Sequence, residues 1–185
     1  MTKKPLLIIL IGPVCVGKTT LGKRLSGELG ISIISKDTIK ELFFDTVGWV
    51  DIPHSRRIGK MAYVTLYYSA INLLKAKNSV ILDANFIPEL ASKKISYLKN
   101  RFNCLPIQIN CFAQAGVLEK RFFARNKAGT RHPGHCEDCI YEEIKESLIR
   151  GWVDLLDIEG SVINLDMTDF DKINYQELIN KIKSY

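Results

Sequence analysis

Between residues 6 and 20 the chain passes from an uncharged apolar run, Leu6-Leu7-Ile8-Ile9-Leu10-Ile11, through Gly12-Pro13-Val14-Cys15-Val16-Gly17-Lys18-Thr19-Thr20. Leu21, Leu25 and Leu29 then recur at helical spacing. The run reads as a strand buried on both faces, and the leucines as the start of an amphipathic helix. The connection has the form G-x-x-x-x-G-K-T, the phosphate-binding loop, in the strand-to-helix context that gives the pattern its mechanism. Few other features constrain a fold so tightly, because the loop needs a parallel sheet edge behind it and a helix N-terminus ahead of it.

Each residue type in the loop has a chemical reason. Backbone N–H groups must curl around an anion, so Gly12 and Gly17 stand where the chain bends sharply or a Cβ would intrude. The helix that follows adds unpaired N–H groups and the positive end of its dipole. Lys18 can reach the β- and γ-phosphates, and the Thr19 hydroxyl can ligate Mg²⁺. The whole stretch from Gly12 to Thr20 is therefore the candidate nucleotide-binding segment.

Composition narrows the setting. A chain of 185 residues with 46% hydrophobic and 25% charged residues suits one domain with a sizeable core, with room for a small lid. No apolar run approaches the ~20 residues needed to span a bilayer. The start, Met1-Thr2-Lys3-Lys4-Pro5, leads into an apolar run that ends in the phosphate loop instead of a small-residue cleavage site, which argues against a signal peptide. The five cysteines are an odd number without secretory context, so reduced thiols and a cytoplasmic location are expected. A net charge of +6 suits a phosphate-rich ligand but is too diffuse to mark a nucleic-acid surface.

Downstream, Gly30 is a plausible C-cap, Ile31 to Ser35 a short strand, and Lys36-Asp37-Thr38-Ile39-Lys40-Glu41 the start of a helix. Asp37 thus lies at the carboxyl end of a strand, where open α/β sheets bind ligands. It could equally cap the helix, and Thr38-x-x-Glu41 resembles a capping box. A loop around Gly48 to Pro53 precedes a helix expected from about Ser55 to Lys75, with Ile58, Met61, Ala62, Leu66, Tyr68, Ile71 and Leu74 as its apolar stripe. His54, Arg56 and Arg57 at its start oppose the helix dipole, which implies nearby anions or a solvated basic turn. Ser79-Val80-Ile81-Leu82-Asp83 is a strand ending in a carboxylate, the pattern that sets an acid beside the metal held by Thr19. Asp83 could also simply end the strand at a turn, and Asn85 follows at the same edge.

A helix from Pro88 to about Phe102, a strand from Leu105 to Phe112 and a helix from Val117 carrying Arg121 and Arg125 complete the next units. After Asn126 the chain turns polar and irregular through Arg131-His132-Pro133-Gly134-His135-Cys136 to Cys139, before Ile140, Ile144, Leu148 and Trp152 resume helical spacing. Ser161 to Asp166 is a fifth strand and Tyr175 to Ile182 a terminal helix. The alternation predicts a three-layer α/β/α fold around a five-stranded parallel sheet. A GTPase would need Asn-Lys-x-Asp at a strand end, whereas Asn126-Lys127-Ala128-Gly129 lacks the carboxylate. A mechanical AAA+ ATPase would carry more chain and a separate helical domain.

Taken together, Gly12 to Thr20, Ser35-Lys36-Asp37 before a helix, Val80 to Asp83, and Arg121 and Arg125 ahead of Arg131 to His135 resemble the small P-loop kinases of the AAA-domain and zeta-toxin-like group. That group is similar to the kinase domain of polynucleotide kinase, chloramphenicol phosphotransferase and gluconate kinase. The resemblance covers nearly the whole chain as a pattern, with only the phosphate loop highly specific. It implies ATP and Mg²⁺ as cofactors, Asp37 as general base, and a lid between Arg121 and about Arg150 whose arginines (Arg121, Arg125 or Arg131) neutralise the transferring phosphoryl group. Lys18 would hold the triphosphate, with Thr19 and Asp83 on the metal. The acceptor stays open: a hydroxyl-bearing small molecule is expected, a polynucleotide 5′-end is the alternative, and a nucleotide-binding regulator without transferase activity is a third reading. His132, His135, Cys136 and Cys139 are zinc-type ligands, but four within eight residues would strain a tetrahedral site.

Overall fold

The computed structural model describes residues 3–185, with the backbone only at Glu137 and Asp138. Met1 and Thr2, the start of the segment that argues against a signal peptide, lie outside the described residues. Five strands, β1 (Leu6–Ile11), β2 (Ser32–Ser35), β3 (Val80–Asp83), β4 (Leu105–Phe112) and β5 (Ser161–Asp166), form one parallel sheet in the order β2-β3-β1-β4-β5. Between and after them come α1 (Lys18–Leu29), α2 (Lys36–Val47), α3 (Ile52–Lys75), α4 (Pro88–Phe102), α5 (Val117–Ala128), α6 (Glu137–Arg150) and α7 (Tyr175–Lys183).

The central strand explains the three layers. Every residue of β1 is buried, and successive side chains point to opposite faces. Leu6, Ile8 and Leu10 join one core with Leu21 and Leu25 of α1, Phe122 of α5 and Ile179 and Ile182 of α7. Leu7, Ile9 and Ile11 join the other, against Leu66, Ala70 and Leu74 of α3 and Ala91, Ile95 and Leu98 of α4. Burying each such leucine or isoleucine is worth about 1.5–3 kcal/mol, so helices are needed on both sides of the sheet. The edge strand β5 shows only partial burial in alternation, as one covered face requires.

Several boundaries differ from expectation. Helix α3 begins at Ile52, three residues early, because Asp51 caps it by accepting from the His54 N–H at 2.7 Å, with Pro53 in the first turn. Its buried stripe is Ile58, Ala62, Leu66, Ala70 and Leu74, whereas Met61 and Tyr68 are exposed. Helix α5 runs through Asn126 and Lys127 to Ala128, so the irregular segment is shorter than expected. Helix α6 stops at Arg150, where Gly151 adopts φ 84°, and Trp152 lies beyond it with the Arg150 guanidinium 3.6 Å from its ring centroid. Among the described residues, no helix is long and apolar enough to cross a membrane.

Candidate active site

The loop after β1 is built for an anion. Gly12 has φ 147°, and a Cβ there would stand 2.4 Å from the Cys111 carbonyl oxygen of the neighbouring strand, so only glycine fits. Gly17 at φ 101° is the N-cap of α1 and offers no side-chain acceptor, leaving the first-turn N–H groups to a ligand. Lys18 folds back into the loop, its Nζ donating to the Gly12 carbonyl at 2.7 Å and the Pro13 carbonyl at 2.6 Å. Burial lowers the pKa of this ammonium, and the Asp83 charge opposes that shift. Val16 turns its side chain fully into the core, while Val14, Cys15, Gly17, Lys18, Thr19 and Thr20 line the cleft above.

Register brings Asp83 to the same place. In the sheet Leu10 lies opposite Asp83 on one side and Ser35 opposite it on the other. The Thr19 hydroxyl donates to Asp83 Oδ2 at 2.7 Å and the Ser35 hydroxyl to the same oxygen at 3.0 Å. Two hydroxyl oxygens and a carboxylate are hard donors of the kind that, with phosphate oxygens and water, suit Mg²⁺. Asp83 therefore does more than end a strand.

Asp37 does not cap its helix. The N-cap of α2 is Ser35, whose hydroxyl is already committed to Asp83, and it makes no side-chain capping bond. The Asp37 carboxylate, in the first helical turn, pairs with Lys36 at 3.0 Å through Oδ1 and with Arg131 through Oδ2. Burial pushes the Asp37 carboxyl up, but Lys36, Arg131 and His135 outweigh it and hold the group far below the usual carboxylate range. The capping-box reading of Thr38 and Glu41 fails for a related reason: Glu41 faces Arg131 at 3.4 Å and His135 at 2.8 Å.

The segment after α5 docks onto α2. Gly134 approaches Phe44 so closely that a Cβ would meet Phe44 Cδ2 at 2.7 Å. His132 stacks on the Phe44 ring at 5.1 Å between centroids, and His135 meets its edge at 5.9 Å. His135 Nε2 lies 2.8 Å from Glu41, yet the ring is no cation: burial, with Arg131 next in effect, lowers its pKa to about 3. A neutral ring donating from Nε2 to Glu41 and turning Nδ1 toward Arg131 at 3.4 Å satisfies both neighbours. His132 Nδ1 accepts from the Gly134 N–H and its Nε2 faces Asp45. Both histidines are thus engaged away from the cysteines, and among the described residues no three or more His, Cys, Asp or Glu gather as a metal-binding group.

The three arginines reach the cleft differently. Arg121 donates to the Thr168 carbonyl at 2.9 Å and lies 4.1 Å from the Phe170 ring centroid, beside the phosphate loop. Arg125, one turn on, also lines the cleft. Arg131 stands on the opposite side, against Asp37 and Glu41. The cleft has a volume of about 520 Å³ and also admits Asn85, as its strand-end position implied. Sequence reasoning missed Lys36, Lys40 and Ser55 in its lining. For the lysines a signal existed, since residues 36, 37, 40 and 41 share one helical face. Ser55 had none, because only packing of α3 on α2 brings it there.

Comparison with known proteins bears on the family and the fold. A family model described as an AAA domain matches residues 7–148. No curated protein matches the sequence significantly. Among solved structures, a candidate kinase from Chloroflexus aurantiacus is 34% identical, with 98% of both chains covered and a TM-score of 0.91. A sugar kinase from Janibacter sp. is 14% identical over 98% of this chain and 94% of that one, with a TM-score of 0.58. An APS kinase from Mycobacterium tuberculosis, solved with AMPPNP and APS, is 14% identical over 99% and 98% of the two chains, with a TM-score of 0.55. The last two share the fold alone. The chain belongs to the AAA domain family, with the fold of the small P-loop kinases.

Proposed function

We propose that the protein transfers the γ-phosphate of ATP to a hydroxyl group of a small molecule. The observation that carries this reading is the convergence of Lys18, the Thr19–Asp83 pair and Asp37 on one cleft, from three separate strand ends. The loop amides and Lys18 would hold the β- and γ-phosphates, and Thr19 with Asp83 would hold Mg²⁺. Bound there, the metal supplies charge neutralisation for the phosphates. Asp37 would orient the acceptor hydroxyl and take its proton. Its low pKa makes it a weak base, which a loose phosphoryl-transfer transition state tolerates, because proton removal comes late.

Arg121 and Arg125 from one side and Arg131 from the other would stabilise charge on the transferring group. Residues 121–150 would act as a lid that excludes water from a single kinase domain spanning 1–185, in the cytoplasm. The test is an ATP-dependent phosphorylation screen with Mg²⁺ across sugars, nucleosides, antibiotics and oligonucleotide ends, with Lys18→Ala as the control. A phosphorylated acceptor formed by the wild type and absent with Lys18→Ala is expected. Nucleotide binding without any transfer would overturn the reading in favour of a regulator.

A further inference from the structure

The acceptor side of the cleft holds more cations than the kinase reading requires. Arg131 is matched by Asp37 and Glu41, Lys36 by Asp37, and Arg56 at the mouth by Glu143. Lys40 differs. It lines the cleft and is only 7% exposed, yet among the described residues no carboxylate lies within ion-pair distance of it. Its Nζ donates to the Ser55 hydroxyl at 2.8 Å, which in turn donates to the Gly134 carbonyl at 2.6 Å. The Phe44 ring centroid lies 5.1 Å from Nζ. An ammonium has three donors, and a buried one without a counter-charge is costly to keep.

We infer that Lys40, with Lys36 one turn before it, forms a subsite for an anionic group on the acceptor, so that the substrate class is a hydroxyl compound bearing a carboxylate or a phosphate. This rests on the kinase reading of the cleft. Lys36 and Lys40 flank Asp37 on one helical face, so the acceptor's charge would be held within about one helical turn, ~5 Å, of the carboxylate that receives its hydroxyl. The anion would supply the counter-charge that the fold withholds, and a neutral alcohol would leave the ammonium unmatched. Discrimination of this kind is strong, because an unpaired buried charge penalises the wrong ligand more than a good contact favours the right one.

Lys40 is also tuned to be sensitive to pH. Burial, then Lys36 and Arg131, lower it to about 8, while Asp37 and Cys136 oppose that shift. The groups that face it are Lys36 and Asp37 from its own helix, Arg131, neutral His135 and Cys136 from the docked segment, and the Ser55 hydroxyl of α3. Proton loss above about pH 8 would remove the subsite's charge.

The protein saturated with Mg²⁺ and a non-hydrolysable ATP analogue is titrated calorimetrically with inorganic phosphate and, separately, with malonate. Saturable binding is expected in the wild type, at least tenfold weaker in Lys40→Met and fading as pH rises through about 8. Tighter phosphate points to a phosphorylated acceptor and tighter malonate to a carboxylate. Ser55→Ala separates the subsite from a purely structural latch, since it removes the hydrogen bond and keeps the charge. Anion binding should survive Ser55→Ala and fail in Lys40→Met. Equal binding in the wild type and Lys40→Met, no binding in the wild type, or equal loss in both variants would overturn the inference. Transfer to a neutral acceptor with no anion site would do so too while leaving the kinase reading intact, whereas anion binding without any transfer would retain the subsite and overturn the kinase reading.

Discussion

The Arg131 guanidinium bonds Asp37 Oδ2 across 94 residues of sequence, joining the end of β2 to the segment after α5. Together with Lys36, that contact keeps Asp37 an ionised, positioned carboxylate instead of a helix cap, and it sets the terms of the first test. Asn is also a good N-cap, so Asp37→Asn would be nearly silent for a capping residue. Here it should leave MgATP affinity unchanged and slow transfer at least about a hundredfold, the lower range of general-base catalysis. Steady-state turnover, ATP affinity and thermal midpoint measured on one preparation decide the matter. Wild-type turnover in a folded variant would move the base elsewhere.

Lys18→Ala removes the ammonium seated against the Gly12 and Pro13 carbonyls. Transfer should vanish and ATP affinity should fall, with the fold retained because the loop's shape is set by Gly12 and Gly17. Nucleotide titration and circular dichroism together check this outcome. Unchanged ATP affinity would contradict the phosphate-loop assignment.

Arginines acting on transition-state charge are worth about 10³–10⁵ in rate in phosphoryl-transfer enzymes. At least one of Arg121→Ala, Arg125→Ala and Arg131→Ala should therefore reduce kcat far more than ATP affinity. Near-normal kcat in all three would exclude a catalytic role for Arg121, Arg125 and Arg131.

His135 makes the fold acid-sensitive. Its pKa falls from 6.5 unfolded to about 3 in the native protein, so the unfolded chain binds the extra proton in that window. Stability should be complete above about pH 6.5 and decline on the order of a few kcal/mol as pH falls toward 3. Asp37, also depressed, adds its own loss only below its ordinary value of 3.8. Urea midpoints across this range should show the decline, and His135→Asn should flatten the upper part. An unchanged pH profile would mean that His135 is protonated in the native state.

Gln108 offers a stability test away from the cleft. Only 2% exposed in β4, it donates to the Leu156 carbonyl at 3.1 Å and accepts from the Leu156 N–H at 2.9 Å, pinning the irregular chain before β5 to the sheet. Gln108→Leu would strand the buried Leu156 N–H at about 1–3 kcal/mol, while the Leu156 carbonyl keeps its bond from the Ile158 N–H at 3.0 Å. The denaturant midpoint should drop accordingly while MgATP affinity in the folded protein persists.

What the sequence determined by itself is local in origin. The phosphate loop, the strand ends at Ser35 and Asp83, and the helix through Leu21 and Leu25 follow from glycine placement, apolar runs and helical periodicity within a few residues. The parallel α/β/α fold follows from their alternation. What only the tertiary structure decided depends on which strands become neighbours and which helices touch. β3 pairs between β1 and β2, so Thr19 and Ser35 meet one Asp83 oxygen. Phe44 receives Gly134 and His132, so Arg131 reaches Asp37, and α3 packs on α2, so Ser55 meets Lys40. Such pairings are fixed by side-chain complementarity between elements distant in sequence, which no spacing within a single segment encodes.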